Sequence, residues 1–371
     1  MQTKIPCVMM RGGTSKGTYF LASDLPADDD LRDQVLLSVM GSPDDRQIDG
    51  VGGANPLTSK VAVVKKSDRP GVDVDYLFIQ VVVDEPRTST VQNCGNILAG
   101  VGQFAVESGL VEPSDGETTL TIFMENSDSL ADVTFPSPGG VPSFDGDARI
   151  DGVPGTAAPV MINFRDTEGS ACGSLLPTGN LIDTVQGIDV TCIDNGMPIV
   201  LFTAQSMGRT GYESRDELNA DTELKKRIEA LRLEVGHMMN LDDVTEKTIP
   251  KMTMIAAPQN GGAICTRSFI PHDCHAAIGV FAAVSVGTAC AMPGTVAYDI
   301  AEIPDGDTKL VSVEHPTGEF SVEMEIDSSG DTPQVKRAAL LRTARRLFEG
   351  QVLIPQSVWS GADGKLAAAA E

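Results

Sequence analysis

Short extended runs rich in β-branched residues recur along most of this chain, and they restrict it to folds built mainly from sheet. "KVAVVKK" (60–66), "VDYLFIQVVV" (74–83), "TTLTIFM" (118–124), "ADVTFP" (131–136), "APVMINF" (158–164) and "PIVLFTA" (198–204) lie between clusters of Gly, Pro, Asp and Asn. Branched side chains suit a pleated surface and the flanking residues end it, so each run reads as a strand. Helical spacing is confined to a few places. After Cys94 the apolar residues Ile97, Leu98, Val101, Phe104 and Ala105 share one face, with Gly109 as a stop. A second helix is expected over 219–239, with Leu224, Ile228, Leu231, Val235 and Met238 on its apolar face. A third, "AAIGVFAAVSVGTACAM" at 276–292, is closed by Pro293 and Gly294.

At 371 residues the chain is long for one core, so two lobes of about 150–200 residues are expected. Each half holds a string of strands, a polar turn and one small-residue helix. That recurrence suggests two similar α/β lobes with a ligand cleft between them. The Gly- and Pro-rich stretch 139–157 reads as a long loop, and 175–198 as the crossing between lobes. "VKRAALLRTARRLFEGQVLIP" (335–355) alternates apolar and basic residues in a way that fits neither strand nor helix cleanly. The closing "GKLAAAAE" reads as a cloning remnant.

The 28 basic and 52 acidic residues leave a net charge of −24, which repels nucleic acid and anionic membrane. An anionic substrate therefore has to be drawn in by a local basic site. The opening residues contain no signal-peptide core, and no segment reaches the apolar length of a membrane span, so a cytoplasmic protein is expected. Seven scattered cysteines with no CxxC pair point to reduced thiols rather than disulfides or structural zinc.

Four segments carry possible chemistry. "MRGGTSKG" (10–17) gathers Arg11, Ser15 and Lys16 around glycines that free backbone N–H groups to hold an anion, although a bare turn would use the same residues. It lacks the order of a Walker A loop. Lys60 stands where a polar turn meets an apolar strand; it is either a solvated strand end or, if withdrawn from water, a base. Cys94 precedes a helix, either packed as a small apolar residue or placed to react, and its neighbours Asn93, Gly95 and Asn96 are poor core residues and good donors. "CTRSFIPHDCHAAIG" (265–279) offers Arg267 as a carboxylate clamp and His275 as an orienting group, with no standard zinc spacing. No HExxH or dinucleotide fingerprint occurs, which argues against metalloprotease and dehydrogenase chemistry. Proton chemistry on an acid, without metal or cofactor, is what these residues leave.

"RGGTSKG" (11–17), "LTSK" ending at Lys60, "NCGN" (93–96), "LLPTGN" (175–180), "IDNGMP" (193–198) and "TARRLFEG" (343–350) together resemble the cofactor-independent isomerases related to diaminopimelate epimerase. Within them, the chain is most similar to the group of 2-methylaconitate isomerase, methylitaconate isomerase and 4-oxalomesaconate tautomerase, and "IPCVMMRGGTSKG" (5–17) and "VMGSPDDRQIDGVGGANPLTSKVAVV" (39–64) look most like the tautomerase branch, which acts in gallate and protocatechuate breakdown.

The resemblance implies two pseudo-symmetric lobes, 1–187 and 188–335, each a curled, mainly antiparallel sheet around a central helix. Residues 336–371 would return as a strand to the first lobe, with the tail. The epimerases use one cysteine from each lobe. Cys94 matches the first, and the second falls near Gly279, which points away from a two-thiol racemase and toward a lysine–cysteine pair, Lys60 and Cys94. The implied substrate is a small unsaturated polycarboxylate, met by Arg11, Ser15, Lys16, Asn93, Gly95, Asn96, Arg267 and His275. A homodimer is left open. An amino-acid racemase and a non-catalytic binding protein stand as the rival classes.

Overall fold

A computed structural model describes residues 1–361 apart from 92, 166, 307 and 328–333; the closing segment 364–371 lies outside the described residues. The chain forms two compact units, Met1–Arg165 with Leu341–Glu371, and Asp166–Leu340. The sequence reading puts its divisions at 187/188 and 335/336, and the units divide at 165/166 and 340/341.

In the first unit, β1 (Gln2–Gly12) and β2 (Ser15–Leu21) make an antiparallel hairpin. Helix α1 (Asp29–Met40) follows, then β3 (Lys60–Lys66) parallel to β2 and β4 (Val74–Val81) antiparallel to β3. The two-residue β5 (Thr88–Ser89) pairs with the end of β4. The central helix comes next in two pieces, α2 (Gly95–Leu98) and α3 (Val101–Glu107). The antiparallel strands β6 (Gly116–Met124), β7 (Ser129–Ser137) and β8 (Pro159–Phe164) complete the unit, with β6 parallel to β4.

The second unit begins with β9 (Asp183–Val185), β10 (Ile188–Asp194) and β11 (Pro198–Thr203), followed by α4 (Arg215–Ala220) and α5 (Thr222–Met238). Strands β12 (Lys251–Ala256) and β13 (Ile264–Phe269) precede the central helix α6 (Val280–Ala291), and β14 (Thr308–His315), β15 (Gly318–Asp327) and β16 (Gln334–Pro355) follow it. From Leu341 onward β16 belongs to the first unit, where it pairs antiparallel with β1 from Gln2↔Pro355 to Gly12↔Ala344. No helix among the described residues is long and apolar enough to cross a membrane.

All six strand-like runs are strands, and the ambiguous 335–355 stretch is β16. The 175–198 stretch, expected as a crossing, holds β9 and β10. The expected helix at 219–239 starts earlier and is two helices: Asp221 ends α4 and caps α5 by accepting the Leu224 N–H at 3.0 Å. Helix α1 is not anticipated by the sequence reading. Its buried Val35, Leu36, Val39 and Met40 are confined to its last two turns, behind an acidic first turn capped by Asp28.

Both central helices carry a glycine where a strand residue closes tightly on them, and α6 is built mostly from small residues. Ala282 through Ala291 of α6 are all buried. A Cβ added at Gly102 of α3 would lie 2.6 Å from Phe135 Cε1, and one at Gly287 of α6 would lie 3.0 Å from Met324 Sδ. Gly102→Ala should therefore displace the Phe135 ring and destabilise the fold by about 1–3 kcal/mol, read as a lower urea midpoint; an unchanged midpoint would mean that the ring has room to move.

Candidate active site

The turn of the β1–β2 hairpin packs against the start of α2 so closely that only glycine fits. A Cβ at Gly12 would be 2.2 Å from the Asn96 carbonyl oxygen, and one at Gly13, whose φ is +50°, would be 2.2 Å from Asn96 Oδ1. Asn96 Nδ2 then donates to Thr14 Oγ1 at 3.0 Å, tying helix start to hairpin. Gly13 N–H donates to Thr343 O at 2.8 Å, which anchors the same turn to β16. Arg11 braces it from the side: one guanidinium nitrogen donates to Gly13 O, Thr343 O and Thr343 Oγ1 at 2.9–3.0 Å. Burial, and then the neighbouring Arg345, lower the Arg11 pKa from its ordinary value.

Lys60 is the first residue of β3, where β2 flanks it on one side through Gly17 and β4 on the other through Gln80. It is 8% exposed, and Cys94 is 9% exposed. Lys60 Nζ lies 3.5 Å from Cys94 Sγ and 4.9 Å from the centre of the Phe78 ring, whose face offsets some of the lost hydration of a cation. An amine and a thiol at this distance can pass a proton directly, amine plus thiol becoming ammonium plus thiolate. Cys94 holds an extended conformation at the N-cap of α2, and its carbonyl accepts the Leu98 N–H at 2.9 Å.

Two tyrosines fix that helix start. Tyr76 Oη donates to Cys94 O at 3.3 Å and Tyr19 Oη to Ile97 O at 2.5 Å. Both are fully buried, and burial, reinforced by the charge of a Cys94 thiolate, pushes both phenols well above the usual range. They remain neutral donors as a result. Arg342 of β16 is 8% exposed; burial lowers it to about 10, while the Cys94 thiolate acts in the opposite direction. A second buried cation therefore faces the thiol.

Two buried polar atoms here have no hydrogen-bond partner among the described residues, Ser15 Oγ and Asn93 Oδ1. The Asn93 amide nitrogen donates to Ser127 Oγ. A buried orphan atom costs about 1–3 kcal/mol, a cost that a bound polar ligand would relieve. Beside the hairpin a cavity of about 660 Å³ is lined by Thr14 and Ser15, the cations Arg11, Lys16, Arg345 and Arg346, and residues of the 144–157 loop. Its size suits a small molecule and its charge suits an anion. Lys60 and Cys94 do not line it. The hairpin connects the two places, since Gly17 pairs with Lys60 while Thr14, Ser15 and Lys16 face the cavity.

Arg267 and His275 belong to the second unit. Arg267, on β13, spends Nε on Glu213 O at 2.8 Å and one terminal nitrogen on Thr266 O at 2.9 Å and Cys265 Sγ at 3.3 Å. His275 is exposed and closes a tight turn, with Nδ1 2.8 Å from Ala277 O. Sequence reasoning missed Arg342, Arg345, Tyr19 and Tyr76. For Arg342 the available signal is its place between Leu340 and Ala344 on one face of a strand whose other two members there are fully buried.

Comparison with known proteins supplies the lineage. The chain is 61% identical over 349 residues to the (4E)-oxalomesaconate Delta-isomerase of Novosphingobium sp. (strain KA1), covering 94% of this chain and 97% of that protein. It is 56% identical to the 4-oxalomesaconate tautomerase of Pseudomonas putida, covering 97% and 99%. Among solved structures, that of methylitaconate-delta-isomerase superimposes with a TM-score of 0.87 at 34% identity, covering 98% of both chains. Residues 2–355 match the PrpF protein family, and the chain belongs to it.

Proposed function

We propose that this protein is a 4-oxalomesaconate tautomerase, moving a proton and a double bond in a small unsaturated polycarboxylate, in the breakdown of aromatic acids such as gallate and protocatechuate. The observation that carries the chemistry is the buried Lys60–Cys94 contact of 3.5 Å; the choice of substrate rests on the two oxalomesaconate enzymes at 61% and 56% identity.

Lys60, as the amine, removes a proton from a carbon made acidic by conjugation to a carbonyl. The electron pair delocalises into a dienolate, and the Cys94 thiol returns a proton two atoms along. Lys60 is then an ammonium and Cys94 a thiolate, and one proton passing across their contact restores both. Charge on the dienolate is met by the N–H groups of Gly95 and Asn96, with Arg342 supplying positive potential on the thiol side. The carboxylates fall to Arg11, Ser15 and Lys16, together with Asn93, whose unfilled oxygen accepts from a bound hydroxyl or acid. Arg267 and His275 keep the substrate-contact assignment made from the sequence. Both proton movements use only side chains of this chain.

Hydrogen–deuterium exchange at the allylic carbon, followed by NMR, tests the roles. Lys60→Met should lose exchange and turnover by at least about 10²–10⁴-fold, the usual worth of a positioned base; wild-type exchange would end the assignment. Cys94→Ala should lose turnover on the same scale, and full activity would reduce the thiol to packing. Ser15→Ala should raise KM about tenfold with kcat little changed, as expected for one lost hydrogen bond to an anion. Assay of the purified protein on 4-oxalomesaconate and 2-methylaconitate side by side tests the substrate: preference for the second acid would move the protein to the methylaconitate branch of its family.

A further inference from the structure

The second unit repeats the first strand by strand. In the first, β1–β2–β3–β4, the central helix and β6–β7–β8 pair in the order antiparallel, parallel, antiparallel, parallel, antiparallel, antiparallel. In the second, β10–β11–β12–β13, α6 and β14–β15–β16 pair in the same six directions. Equivalent positions follow from this match. Lys60 opens β3, and Lys251 opens β12. Cys94 is the N-cap of α2, and Gly279 is the N-cap of α6, both with extended backbone.

The geometry is repeated as well as the register. Lys60 Nζ reaches the side chain of Cys94. A Cβ built on Gly279 would lie 3.9 Å from Lys251 Nζ and would meet nothing else within 4 Å. Each half thus aims a lysine at the cap of its central helix, but in the second half the place of the thiol is open. Lys251 is half-buried, and among the described residues no hydrogen bond or ion pair engages its ammonium. Burial alone lowers its pKa, with no compensating carboxylate. The first N–H groups of α6 likewise carry no side-chain cap. The two polar features shown at the open place, the Lys251 ammonium and the uncapped N–H groups of α6, are both donors, so the complementary occupant is an acceptor with negative charge.

We propose that Lys251 and Gly279 form a carboxylate-binding position for a small polycarboxylate, with Lys251 as a substrate-binding residue rather than a second acid or base. The glycine leaves room for the oxygens, and the lysine supplies a positive charge within a −24 chain. This rests on the reading of the substrate as a polycarboxylate.

The probe is tricarballylate, a saturated tricarboxylate that no allylic isomerase can turn over, titrated into the full-length protein carrying ¹³C-labelled lysine. The Lys251 Cε signal, identified by its loss in Lys251→Met, should shift on binding, and its titration should move to higher pH because a carboxylate favours the ammonium. Lys251→Met should weaken tricarballylate binding about tenfold or more and raise KM with kcat nearly unchanged, and Lys251→Arg should recover part of the loss. Gly279→Ala removes no bond and meets no clash, yet occupies the open place; it should weaken binding in the same way. An unmoved Lys251 signal with wild-type binding in both Lys251→Met and Gly279→Ala overturns the proposal. If the wild-type protein binds tricarballylate through Lys251 but turns over neither 4-oxalomesaconate nor 2-methylaconitate, the proposed function fails and this position stands. Turnover of 4-oxalomesaconate with KM and binding unaffected by Lys251→Met leaves the function standing and removes the position.

Discussion

The first unit depends on a backbone approach that no side chain could survive, the contact of Gly12 and Gly13 with Asn96. Hydrogens in place of two Cβ atoms let the hairpin lie against the first turn of α2, and several other features follow from that seat. Thr14 is brought within reach of the Asn96 amide, and Gly13 within reach of β16. With the hairpin seated, Tyr19 on β2 and Tyr76 on β4 take up carbonyls of residues at the helix start, one of them Cys94 itself. The thiol is consequently held where the first residue of β3 can reach it. Proton transfer is steeply sensitive to distance, so the proposed pairing of a base on a strand with an acid on a helix cap depends on such a rigid link between the two.

Electrostatically the site is an island. The chain as a whole is strongly acidic, yet Lys60 and Arg342 are buried close to one sulfur, and Arg11, Lys16, Arg345 and Arg346 line one cavity. Burying cations disfavours them, as the lowered pKa values of Arg11 and Arg342 record. Ser15 and Asn93 add unfilled hydrogen-bonding capacity. Such costs are tolerated where a ligand relieves them, and carboxylates are the groups that match buried cations. The same logic applies to Lys251, whose amine has no partner among the described residues and faces an open place.

Much of the architecture was legible because strands declare themselves locally. Six β-branched runs became six strands, and the small-residue run at 276–292 contains α6. Helix α1 was missed because its apolar residues cluster late instead of marking a full-length stripe. The stretch 335–355 was ambiguous by spacing for a different reason: β16 serves both units in turn, so its two halves answer to different surroundings and no single period runs through it. Among the site residues, the hairpin and "NCGN" stood out because their compositions are poor packing material. Arg342 and Lys251 did not, since a lone basic residue in or at the end of a strand is usually a solvated one.

By itself, then, the sequence determined the sheet-rich class, the positions of six of the strands, the family resemblance and the short list of polar segments able to carry chemistry, because these depend on residue type and on neighbours within a few positions. Only the tertiary structure decided that Lys60 and Cys94, 34 residues apart, stand 3.5 Å from one another, that one nitrogen of Arg11 braces the hairpin, and that Arg342 and not a nearer residue brings a second cation to the thiol. Those facts depend on strand order and register, which are selected by the packing of the whole unit and leave no mark in any one segment.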